Sequence, residues 1–324
     1  MLQMLAGFMV SQAVYAAAKL DVATILAEKG PRSVTDLAAE AGADADAFGR
    51  VIGFLATVGV FRTDGDKVEI TELGSVLAAG PGSMRDGAMY WMETHYAPFG
   101  DLVHTVQTGE TAATRHYGKP FFDWISDDPE RAELQNRAFA VATSTLRADM
   151  FDGYRLPEGM VVADLGGADG AMLVRLLADE PDRRGIVFDR PEFVSAAVET
   201  IRKNGLEARA VTEGGDFFES VPPADVYILS NILHDWDDES CRRILGNIAK
   251  TAKPGARIVA VESVMPEGDV PHPTRVIDIT MLAMLPGRER TEASYRALLD
   301  SAGFTLDRVV PTPTPYAFIE GTLR

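Results

Sequence analysis

The spacing of apolar positions changes partway along the chain. From about Met160 onward, short apolar runs of strand length alternate with segments whose apolar residues recur every three or four positions. The spacing predicts strands at 161–165, 185–188, 208–211, 226–231, 258–262, 304–309 and 316–320. It predicts helices between them at 171–178, 192–204, 238–252 and 291–302. Apolar strands alternating with helices predict a mainly parallel sheet covered on both faces, an α/β arrangement.

The N-terminal part reads differently. Leu2, Leu5, Phe8 and Met9 fall on one face of an amphipathic or buried helix. No basic residue precedes Lys19, and Gln3, Ser11 and Gln12 interrupt the apolar run, so a secretory signal is not expected. Thr35 is a candidate cap for a helix over 36–41 that Gly42 stops, and a second helix is expected near 47–59. Segments 60–62 and 67–70 flank Asp64–Gly65, a hairpin signal. Helix, turn, helix and hairpin together outline a winged helix. Residues 86–150 look mostly helical and carry large apolar side chains, among them Trp91, Phe122, Trp124, Phe139 and Met150. The expected organisation is 1–85, a winged-helix-like domain; 86–150, a helical region; and 151–324, the α/β domain.

Charge and cysteine content narrow the partners. The 324 residues carry a formal charge of −17, which repels phosphate backbones and anionic lipid. Residues 1–80 hold six Lys/Arg against ten Asp/Glu, and Asp44 and Asp46 stand where a groove-reading helix needs donors. Nucleic acid and membrane are therefore not expected partners, and packing or dimerisation is the better use of the winged helix. Cys241 is the only cysteine, which suits a reducing, cytoplasmic setting.

Candidate chemistry gathers after the strands. Asp164–Leu–Gly166–Gly167–Ala168–Asp169–Gly170 is a glycine-rich turn after the first strand of the α/β part, where backbone can approach a ligand closely. Asp189 follows 25 residues later and can accept hydrogen bonds from a ribose diol. Asp216 and Phe217 suit an adenine amine and its ring face. The spacing differs from a nicotinamide fingerprint, and Asp164 and Asp169 would repel a pyrophosphate. A sulfonium-bearing zwitterion tolerates them, so S-adenosylmethionine is the expected cofactor. His234 ends the apolar run 226–231 and begins His234–Asp235–Trp236–Asp237–Asp238. A neutral imidazole there can take a proton during attack on a methyl group. Glu262, at a strand end, is the expected carboxylate on the other ring nitrogen. Glu289 sits between Arg288 and Arg290, which could instead tie it into a surface ion pair. The acids after His234 are read as starting a helix, with no metal expected. His95 and His116 are further candidates for reaching the pocket.

These stretches resemble the plant-type, small-molecule S-adenosylmethionine-dependent O-methyltransferases, a family that includes a bacterial natural-product branch and acetylserotonin O-methyltransferase. The matching segments are Asp164–Gly170, Asp189–Arg190–Pro191, Gly215–Asp216–Phe217–Phe218, His234 to Asp238, Val261–Glu262 and Gly287–Arg288–Glu289–Arg290–Thr291. The resemblance implies a Rossmann-like methyltransferase domain behind a dimerising, mostly helical winged-helix domain. It implies Asp164, Gly166, Gly167, Asp189, Asp216, Phe217 and Ser230 at the cofactor, with Ser230 where many plant members carry lysine and Ala168 at the family's third glycine. It implies His234 as general base flanked by Glu262 and Glu289. Asp235, Met281, Met284, Met150 and Phe139 are the expected substrate-side residues. The expected activity is methylation of a hydroxyl on an aromatic or polyketide-like acceptor by a homodimer. N-methylation, cofactor binding without methyl transfer, and a cofactor-sensing winged-helix regulator are the competing readings.

Overall fold

The computed structural model describes residues 1–141 and 148–324. The chain divides into two compact units, Met1–Ala97 with Pro129–Ala142, and Pro98–Asp128 with Thr143–Arg324. The segment 86–150 is thus shared between them.

In the first unit, helices Gly7–Lys19, Val22–Lys29, Val34–Glu40 and Ala45–Thr57 surround a core that includes Ala17, Leu26, Leu37, Ile52, Leu55 and Phe61. Strands β1 (Arg32–Ser33), β2 (Phe61–Asp64) and β3 (Lys67–Ile70) form an antiparallel sheet in the order β1-β3-β2. Gly65 supplies the left-handed residue of the β2–β3 turn, with φ +60°. Ser33, not Thr35, caps the helix Val34–Glu40 through a bond from the Asp36 N–H. Ser33 has the extended backbone a cap requires, whereas Thr35 already lies within the helix. Asp44 caps the next helix through the Ala47 N–H. The expected apolar N-terminal helix is broken into Leu2–Leu5 and Gly7–Lys19, and Leu2, Leu5, Phe8 and Met9 are exposed on it. Helices Glu72–Ser75, Arg85–Thr94 and Pro129–Val141 complete the unit, with Tyr90 donating to Gln135 at 3.1 Å. Among the described residues, no single helix is long and apolar enough to cross a membrane.

The second unit is built on β4 (Val161–Leu165), β5 (Arg184–Asp189), β6 (Ala210–Gly214), β7 (Val226–Ser230), β8 (Arg257–Ser263), β9 (Phe304–Pro311) and β10 (Tyr316–Leu323). Their spatial order is β6-β5-β4-β7-β8-β10-β9. The neighbours from β6 through β8 run parallel, and β10 runs antiparallel to both β8 and β9. Alternate residues serve opposite faces. Tyr227, Leu229, Ile258 and Ala260 enter one core, and Val226, Ile228, Val259 and Val261 the other. Both faces are covered, which is why the strands read as unbroken apolar runs. Strand order reverses between β4 and β7, so a crevice opens beyond their carboxyl ends. The glycine turn follows β4 and the His234 segment follows β7.

Candidate active site

The glycine turn is shaped by contacts that leave no room for side chains. The N–H groups of Gly166 and Gly167 both donate to the carbonyl of Phe188. Gly166 has φ +72°, and a Cβ there would lie 2.3 Å from Ile232 Cδ1. A Cβ on Gly167 would lie 2.9 Å from the Asp164 carboxylate. Ala168, at the position of the third glycine, is forced to φ +44°, a left-handed conformation that costs a non-glycine residue about 1–2 kcal/mol. Its N–H donates to Asp189 Oδ2 at 2.9 Å, and the Arg190 N–H donates to Oδ1 of the same carboxylate at 2.7 Å. Asp189 thus braces the turn from the end of β5.

Acids crowd this cradle. Asp164 is buried and its Oδ2 has no hydrogen-bond partner. Burial, together with Asp189 and Asp169 nearby, pushes its pKa up to about 7. Burial also raises Asp169 and Asp189. A cation placed here would relieve all three, and a pyrophosphate would aggravate them. The residues present therefore fit S-adenosylmethionine. Phe217 lies against the Gly166 position, and Asp216, exposed, accepts from the Phe218 N–H at 2.8 Å. Ser230 ends β7 opposite Val261.

The second half of the site is a short 3-10 turn, Leu233–Asp235, entered through Asn231 in a left-handed conformation with φ +55°. His234 is buried on this turn. Its Nδ1 lies 2.6 Å from Glu289 Oε1 and its Nε2 lies 3.2 Å from Asp235 Oδ1. The expected place of Glu262 on the second ring nitrogen is therefore taken by Glu289. Glu262 Oε2 is 4.0 Å from Nδ1, while its Oε1 accepts from the N–H groups of Ile232 and Leu233 at 3.1 and 2.8 Å. Glu262 holds the backbone of the turn, and Glu289 holds the ring. Glu289 and Arg290 are both buried, and the Arg290 guanidinium pairs with Asp238, so the alternative of a surface ion pair does not arise.

The electrostatics of His234 follow from this enclosure. Burial alone would disfavour its charged form, but Asp235, Glu262 and Glu289 outweigh burial and push its pKa up to about 10. Burial is also the main reason Glu262 rises to about 7 and Asp235 to about 6, each held back by the neighbouring imidazole.

The loop that carries Glu289 is fastened closely. The Glu289 N–H donates to Asp278 on the helix Pro273–Met284. A Cβ on Gly287 would lie 1.8 Å from the His234 carbonyl oxygen, so glycine backbone packs directly on the base-bearing turn. Arg290 lies buried beneath the same turn. The sequence singles out neither residue for this role, although both belong to the matching G-x-E-R-T segment.

The remaining candidates are scattered. Met281 and Met284 are buried on the helix Pro273–Met284, which packs on helices Leu102–Thr108 and Ala112–Tyr117. Met150 is packed in the core with Phe151, Leu156 and Phe318. Phe139 belongs to the first unit, half-exposed and edge-on to Tyr90. His95 is buried in the first unit against Trp91, and burial pushes its pKa down to about 4. His116 lies 3.7 Å from Asp101. The acids after His234 are already engaged: Asp237 caps the helix Asp238–Thr251 and Asp238 binds Arg290. Among the described residues, no cluster of three His, Cys, Asp or Glu side chains could hold a metal ion.

Comparison with known proteins agrees with this layout. Residues 99–305 match the O-methyltransferase domain family, and residues 2–80 match the O-methyltransferase dimerisation domain. The chain is 38% identical to the phenazine O-methyltransferase PhzM of Lysobacter antibioticus, over 99% of this chain and 94% of that protein. It superposes with a TM-score of 0.89 on human N-acetylserotonin methyltransferase in complex with S-adenosylmethionine, at 31% identity over 99% and 96% of the two chains. It superposes with a TM-score of 0.88 on NcsB1 of neocarzinostatin biosynthesis, solved with S-adenosylmethionine and 2-hydroxy-5-methyl naphthoic acid, at 29% identity over 100% and 99%. The chain belongs to the O-methyltransferase family and is an S-adenosylmethionine-dependent O-methyltransferase.

Proposed function

We propose that the enzyme methylates a hydroxyl of a small, flat aromatic metabolite, with His234 as the general base, and that it works as a homodimer. The observation that carries this reading is the buried Nδ1–Oε1 pair of His234 and Glu289 at the reversal of strand order. Bound S-adenosylmethionine supplies an electrophilic methyl group. Gly166, Gly167, Asp164 and Asp189 would hold it, with Phe217 and Asp216 at its adenine end. The protein's own task is to make the acceptor oxygen electron-rich as it attacks.

A phenol has a pKa of about 10 and keeps its proton at neutral pH. An ordinary imidazole, near 6.5, would accept that proton at a cost of about 5 kcal/mol, at 1.36 kcal/mol per pKa unit. With His234 raised by the carboxylates around it, the transfer step itself is less uphill, and the neutral form that accepts the proton becomes more abundant as pH rises. The three surrounding carboxylates thus stabilise the imidazolium that proton transfer creates. An amine nucleophile, already carrying a lone pair when neutral, needs such a base less, so the arrangement favours oxygen. Glu289 fixes the tautomer by accepting from Nδ1–H, which leaves Nε2 to take the proton. Asp235, beside Nε2, stands where it can orient the acceptor. Met281 and Met284 offer polarizable surface for a flat ring. The exposed apolar face of Leu2, Leu5, Phe8 and Met9, within the segment that matches a dimerisation domain, would be covered by a second copy.

Replacing His234 by alanine tests the assignment. Turnover of a phenolic acceptor should fall at least 100-fold, the usual worth of a positioned base, while cofactor affinity measured by calorimetry changes little. A parallel loss of both would make His234 structural.

A further inference from the structure

We propose that Arg290 is a positioning residue for methyl transfer: its buried guanidinium fixes the turn that presents the His234 ring. The inference rests on His234 being the base. Leu233–Asp235 is a single 3-10 turn, too short to satisfy its own carbonyl groups. Arg290 supplies the missing donors. Its Nη1 donates to the Leu233 carbonyl at 2.6 Å and its Nη2 to the Trp236 carbonyl at 2.9 Å, one on each side of His234. Asp238 Oδ1 receives Nε at 3.1 Å and Nη2 at 2.7 Å, which gives the buried charge a counter-ion. The Cys241 thiol shares the Leu233 carbonyl at 3.2 Å.

The backbone of Arg290 is equally constrained. Its carbonyl accepts from the Met265 N–H at 2.9 Å, and it bridges to Val264, two residues beyond Glu262. Two consecutive residues therefore grip the same turn from different sides. Glu289 sets the orientation of the ring, and Arg290 sets the position of the backbone that carries it. A planar fork reaches two carbonyls at once, which an ammonium cannot do in the same geometry. Arg290 touches no reacting atom, so its effect passes through His234.

Arg290→Lys keeps the charge and removes the fork. The expected result is a kcat about tenfold lower, in line with the sensitivity of catalysis to sub-ångström misplacement. The KM for cofactor should stay within threefold. The acid limb of the kcat profile should move to lower pH, because a looser turn weakens the Nδ1–Glu289 bond. The double variant Arg290→Lys/His234→Ala should be no slower than His234→Ala. If Arg290→Lys does not fold, Asp238→Asn loosens the guanidinium from its half-exposed anchor and should shift the limb the same way with a smaller loss. An unmoved limb, or equal losses with and without His234, would overturn the proposal. A His234→Ala enzyme that retains its kcat would instead remove the base assignment itself.

Discussion

Gly287→Ala offers the sharpest test of how the Glu289 loop governs the base. The added Cβ would lie 1.8 Å from the His234 carbonyl oxygen, 2.4 Å from Asp235 C and 2.6 Å from Trp236 N. Ordinary contact begins at 3.4 Å, so the two backbone segments must part by about 1.6 Å. All three obstructing atoms are backbone, and no side-chain rotation relieves the clash. Glu289 lies two residues along, and its bond to Nδ1 is 2.6 Å. Transmitting half of the displacement would take that pair beyond about 3.2 Å, the edge of useful hydrogen bonding. Misplacement on this scale costs about 100-fold in rate. The overpacked loop should also cost about 1–3 kcal/mol of stability. Steady-state kinetics with a phenolic acceptor, cofactor titration by calorimetry and thermal unfolding separate these effects. The expected pattern is a kcat about 100-fold lower, cofactor affinity nearly unchanged, and a modestly lower Tm. A folded variant with kcat within threefold of the parent would refute the link between loop position and base.

Three further outcomes are expected. Activity should climb with pH, since the proton-accepting form of His234 grows as pH rises toward its raised pKa. The acid limb of kcat/KM for the acceptor should lie above 6.5, and Glu289→Gln should move it downward; a limb at or below 6.5 would contradict the acidic enclosure. Ala168→Gly should raise Tm by relieving left-handed strain of about 1 kcal/mol, roughly 2–4 °C for a unit of this size, and an unchanged or lower Tm would argue against strain there. Asp164→Asn should stabilise the cofactor-free protein more at pH 8 than at pH 5. The folded-state pKa is raised from 3.8 to about 7, so the folded form holds the extra proton between those values and loses stability as pH rises through them. Equal effects at both pH values would remove Asp164 as the source.

The α/β half was legible because strands buried on both faces leave unbroken apolar runs, and because the glycine turn and His234 each end such a run. Boundaries slipped where local signals compete. Ser33 and Thr35 both qualify as caps, and only backbone conformation separates them. β6 begins at Ala210 rather than 208, because Ala210 is also tied back to Leu206 by the preceding turn. The helix Pro273–Met284, which carries Met281 and Met284, is not among the predicted elements; it begins with Pro273 in its first turn and His272 as its cap. At the site, the residue types were readable and their division of labour was not. Glu262 and Glu289 are 27 positions apart, and which of them meets Nδ1 depends on how β8 and the following loop pack. Arg290 next to Glu289 suggested an exposed ion pair, yet burial reverses its meaning. The left-handed backbone of Asn231 leaves no trace in an apolar pattern. Nor do packing preferences of Met150 and Phe139 separate core from pocket.

Cys241 carries a practical consequence. It is the chain's one sulfhydryl, fully buried, pushed up to about 12 by burial, and donating to the Leu233 carbonyl beneath the base. A maleimide or disulfide reagent can reach it only when that part of the fold opens. The rate of its labelling is therefore a built-in clock for breathing of the reaction centre, readable in the wild-type enzyme with no engineered probe.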